Sequence, residues 1–111
     1  MKKKLFKSYS YNFDKNEIKL INNFCKQAVS QMSSDDRFLK DINAFNSIMD
    51  KINSGDEEVK FTKDEQVRLV MQLKENTKHI EKTMESAWFL KKWLYKSMYN
   101  QYISLLETHF N

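Results

Sequence analysis

The chain reads as mainly α-helical, a bundle of three long helices with at most a small two-stranded β-ribbon. Three observations carry that reading. The sequence holds one Gly and no Pro, so few residues interrupt regular structure. Apolar residues recur at alternating spacings of three and four over most of its length, the period of a helix with one buried face. Three short polar segments have the form of helix caps.

The first helix is expected to begin at Asp14-Lys15-Asn16-Glu17, a capping box with Asp as the cap. After it Ile18, Ile21, Cys25, Ala28 and Met32 form an apolar stripe, with Leu20, Phe24 and Val29 beside it. Ser33-Ser34-Asp35-Asp36 ends this helix and caps a second. There the stripe is Phe38, Ile42, Phe45, Met49 and Ile52, flanked by Leu39 and Ile48. Gly55 stands where a helix C-cap belongs. Residues 14–54 therefore read as a helical hairpin with matched apolar faces.

Residues 63–110 form the third element. Thr62-Lys63-Asp64-Glu65 is a second capping box, with Asp64 favourable at the positive end of the helix dipole. A heptad-like seam follows through Val70, Leu73, Thr77, Ile80, Met84, Ala87, Lys91, Leu94, Met98, Tyr102 and Leu105. Tyr95, Tyr99 and Leu106 widen it. An unbroken helix of about 45 residues would reach roughly 70 Å, too long for a compact domain of this size. Breaks are expected between 76 and 86, at Asn76-Thr77 or Glu85-Ser86, where polar side chains compete for backbone hydrogen bonds. No turn residue marks a reversal, so a long helix is preferred over a tight hairpin.

Two short stretches alternate instead. Tyr9, Tyr11 and Phe13 share one side of residues 5–13, and Val59 and Phe61 share one side of residues 58–62. Paired, they would make the small ribbon; otherwise residues 1–13 are an aromatic and basic arm. The length suits a single domain of residues 1–111, with 56–62 linking the hairpin to the C-terminal helix.

The net charge is +4, yet Lys2, Lys3, Lys4 and Lys7 account for all of it. Arg37 and Arg68 are the only arginines among 19 basic residues. Bidentate base reading leans on Arg, so sequence-specific nucleic-acid recognition is disfavoured. A single cysteine excludes an internal disulfide, and Cys25 reads as a core residue. No stretch is long and apolar enough for a membrane span, and the N-terminus lacks the apolar segment of a secretory signal. The expectation is a cytoplasmic protein without membrane contact. The abundance of Lys, Asn and Ile suggests an A+T-rich coding sequence, as in a low-G+C bacterium or its phage.

No catalytic pattern emerges. His79 and His109 are the only histidines. Glu75 and His79 stand four apart, but the His-Glu-x-x-His metal motif is absent. The Asp35-Asp36 pair lacks further ligands, and no Gly-rich phosphate loop exists. The chain is expected to be non-enzymatic, with no metal and no cofactor.

One cluster departs from the seam. Phe89, Leu90, Lys92, Trp93 and Lys96 lie off its line, and large aromatics on a free surface suggest a binding site. The competing reading is that residues 87–106 are buried on several sides, between the hairpin and a second subunit. The expected function is a small protein-protein interaction module, an adaptor, assembly factor or inhibitor. Self-association would run through Val70, Leu73, Ile80, Met84, Leu94, Met98, Tyr102 and Leu105. The alternative is an accessory nucleic-acid binder using the N-terminal lysines and the Trp93 patch.

Overall fold

The computed structural model describes residues 9–110. Its elements run β1 (Tyr9–Tyr11), α1 (Lys15–Met32), a 3-10 turn (Asp36–Phe38), α2 (Leu39–Ile52), β2 (Val59–Phe61), α3 (Lys63–Glu85) and α4 (Phe89–His109). The fold is mainly α, as the periodicity predicts. Residues 5–8 of the expected ribbon and the N-terminal lysines fall outside the described residues. The single domain expected from the length divides into two compact units, the first ending at Arg68 and the second beginning at Leu69.

In the first unit, α1 begins as its sequence requires. The Asp14 carboxylate accepts the Glu17 N–H at 2.8 Å, and the Glu17 carboxylate accepts the Asp14 N–H at 2.9 Å. Ile21, Phe24, Cys25, Ala28 and Met32 are buried. The start of α2 differs from expectation. Asp35 caps the 3-10 turn, accepting the Arg37 N–H and gripping its guanidinium at 2.6–3.1 Å. The helix proper starts three residues later, at Leu39, without a side-chain cap. The inward face also differs from the expected stripe. Ala44, Phe45, Ile48 and Ile52 are buried, while Leu39 is exposed. α1 and α2 pack against each other, and the Asn22 and Asn53 amides exchange hydrogen bonds at 2.8 and 2.9 Å.

β1 and β2 pair antiparallel, with Tyr9 opposite Phe61, Ser10 opposite Lys60 and Tyr11 opposite Val59. The alternation does what its period of two demands. Tyr11, Val59 and Phe61 point inward, Ser10 and Lys60 outward. The rings of Tyr11, Phe13 and Phe61 gather with centroids 5.3–6.1 Å apart. So small a ribbon is stable only because its aromatic side lies on helices, and β2 packs against α2.

α3 starts at the expected capping box. The Thr62 hydroxyl accepts the Glu65 N–H at 3.1 Å, and Glu65 accepts the Thr62 N–H at 2.9 Å. The same carboxylate also accepts Ser47 Oγ at 2.5 Å and Lys51 Nζ at 2.6 Å. A helix cap thus doubles as the tie between α2 and α3. Arg68 adds a second tie, bridging Asp64 and Asp41.

In the second unit the preference for one long helix is corrected. α3 runs straight through Asn76-Thr77 and stops at Glu85, the other expected break. Thr77 tolerates the interior of α3 because its hydroxyl bonds back to the Lys74 carbonyl at 2.8 Å. Past Glu85, the N–H groups of Ser86 and Ala87 bond to the carbonyls of Thr83 and Met84, tightening the last turn. Trp88 then adopts an extended backbone, φ −66° and ψ 154°. The reversal is plain from one contact: Tyr99 Oη donates to Glu81 at 3.3 Å. On a continuous helix those two residues would stand about 27 Å apart. No glycine or proline makes this turn; a single extended residue does. What drives it is burial, since Leu73, Ile80, Tyr102, Leu105 and Leu106 are all buried.

Candidate functional site: the exposed start of α4

The first two turns of α4 set the site apart. Trp88, which precedes the helix, has no side-chain cap bond, and no acid stands in the first turn. Lys91 and Lys92 occupy that end instead, where the dipole disfavours positive charge. Local helix chemistry therefore does not explain this composition.

Nor does the core. Trp88 is 61% exposed, Phe89 72%, Leu90 53%, Trp93 76% and Leu94 55%. The rings of Trp88 and Phe89 lie 5.4 Å apart, tilted by 33°. Burying a large apolar side chain contributes about 1.5–3 kcal/mol. Leaving five exposed forgoes several kcal/mol, a sizeable share of a net stability of about 5–15 kcal/mol.

At 100° per residue, Phe89, Trp93, Leu90 and Leu94 fill one sector about 140° wide. Lys92 and Lys96 border it on one side and Lys91 on the other. All three lysines are exposed. Further along, the same outward sector carries Ser97, Asn100, Gln101 and Ser104, all exposed. The apolar strip therefore ends after Leu94. Residues 86–106 contain these lysines and no acid, bounded by Glu85 and Glu107.

The five residues singled out in the sequence, Phe89, Leu90, Lys92, Trp93 and Lys96, all lie on this surface. Sequence reasoning missed Trp88 and assigned Leu94 to a different role. Within one chain residues 88–94 are all exposed, so the reading of residues 87–106 as buried on several sides would require a second subunit over them.

The self-association seam is divided. Leu73, Ile80, Tyr102 and Leu105 are buried within the chain itself. Val70 and Met84 are half-buried, and Leu94 and Met98 are exposed. Four of the eight are therefore already covered within one chain, and Val70, Met84, Leu94 and Met98 keep exposed surface.

Elsewhere the candidates for chemistry are quiet. Cys25 is fully buried, and burial pushes its thiol up to about 12, so it holds no thiolate near neutrality. Glu75 and His79 are exposed on α3. Among the described residues no group of three or more His, Cys, Asp or Glu could hold a metal ion. No helix among them is long and apolar enough to cross a membrane. The chain matches no family model, no curated protein and no solved structure.

Proposed function

We propose that this protein is a non-catalytic interaction module, an adaptor, assembly factor or inhibitor, that engages a protein partner through the start of α4. The observation carrying this reading is the exposed cluster of Trp88, Phe89, Leu90, Trp93 and Leu94. Aromatic side chains of this kind anchor interfaces, since they bury much area at little conformational cost.

The deciding experiment compares the intact chain with Trp93→Ala and Leu90→Ser in affinity capture from cells of its source. Loss of a specific captured protein, with the helical signal and melting unchanged, supports the module. Capture that survives both changes removes it. A second reading draws on Trp93 standing between Lys92 and Lys96, an arrangement that suits stacking on single-stranded nucleic acid. Steeply salt-dependent binding of a mixed single-stranded oligonucleotide is its signature.

A further inference from the structure

Resting on the docking reading above, we infer that the surface received by the start of α4 is an apolar strip of a partner protein edged by carboxylates, such as one face of an acidic amphipathic helix. The charge pattern and the shape of the patch point there together. Lys91 borders the apolar sector on one side, Lys92 and Lys96 on the other; residues 86–106 hold no acid, and of the neighbouring carboxylates Glu81 accepts from Tyr99, beyond the apolar strip. Charges act over about 8–10 Å at physiological salt. A partner therefore meets this local positive rim rather than the near-neutral remainder of the chain. The uncapped N-terminus of α4 adds positive potential of the same sign.

Other occupants fit less well. A second copy of this surface would set lysine rims against each other, and like-charge contact disfavours such pairing. An interfacial lipid helix carries its apolar face along its length, whereas this strip yields to Ser97, Asn100, Gln101 and Ser104 after about two turns. Nucleic acid stacks on rings, but aliphatic Leu90 and Leu94 form half of the sector.

Trp88 and Trp93 are the chain's two tryptophans, so indole emission reports this surface alone. The full chain is titrated with a designed helical peptide bearing leucines on one face bordered by glutamates. Its counterpart carries lysines in place of the glutamates. Separate titrations use phosphatidylcholine vesicles with and without phosphatidylglycerol, and a mixed single-stranded oligonucleotide. The expected result is a blue shift with the glutamate peptide, binding at least about tenfold tighter than the lysine peptide, weakened by salt. Lys92→Gln with Lys96→Gln, checked for unchanged circular dichroism, abolishes that preference. Equal binding of both peptides overturns the acidic rim while leaving the docking reading intact. Response to vesicles or oligonucleotide but to neither peptide overturns the inference in favour of that ligand. Silence toward every probe also overturns it, and capture from cells then judges the docking reading separately.

Discussion

Glu65 holds α2 and the start of α3 together. It is a helix cap, an ion-pair partner and a hydrogen-bond acceptor at once, with its side chain 9% exposed. Burial alone would raise its pKa, but Lys51, the Ser47 hydroxyl and the Thr62 N–H outweigh it and hold the carboxyl below its ordinary value. A carboxylate depressed in the folded state contributes stability above its unfolded pKa. That contribution is lost as pH falls through the folded value. Glu65→Gln is therefore expected to lower the melting temperature at neutral pH. Its gap from the parent chain should narrow as the solution is acidified below the ordinary carboxylate range. Thermal melts across pH check this; a gap that stays constant would contradict it. Cys25 offers a second test at this scale. Its buried thiol should resist a thiol reagent in the native protein and react freely in denaturant. Core and surface aromatics should separate cleanly: Phe45→Ala is expected to cost about 3–5 kcal/mol in urea unfolding, and Trp93→Ala within about 0.5 kcal/mol.

The informative element is the break between α3 and α4. Nothing in its composition announces a turn, and the capping rules that place the starts of α1 and α3 do not operate at Trp88. The reversal makes a distance prediction. Spin labels at positions 81 and 99 would be about 27 Å apart on a continuous helix; the hairpin requires a much shorter separation, measurable by pulsed electron resonance. Gly55, expected at the C-cap of α2, stands two residues past the actual cap, Asn53. Its φ of +91° lies where glycine is favoured, and nothing stands within 4 Å of a Cβ placed there. Gly55→Ala should thus destabilise through backbone strain, by about 1 kcal/mol, rather than through a clash.

For the whole molecule, the reversal alters what is left to bind. A long rod would expose a continuous seam to a twin. The hairpin instead buries Leu73, Ile80, Tyr102 and Leu105 and leaves the start of α4 bare. Sedimentation at low salt is accordingly expected to show a single chain of 13.4 kDa. A stable dimer there would mean that the exposed cluster accepts its own copy despite the lysines.

The amino-acid sequence alone determined the helical class, both capping boxes, the alternation of residues 9–13 and 59–61, and the departure of Phe89 and Trp93 from the seam. These follow from interactions a few residues long, such as Asp14 with Glu17 or Thr62 with Glu65, and from periods that one strand or one helix reveals by itself. Tertiary structure decided the rest. Leu69 rather than Val70 is the buried residue there, Ile48 rather than Met49 lies at the centre of α2, and α4 folds back instead of extending. Each depends on which apolar surfaces meet across the chain, and seam residues such as Leu94 and Leu105 share a helical spacing whether a neighbour covers them or water does.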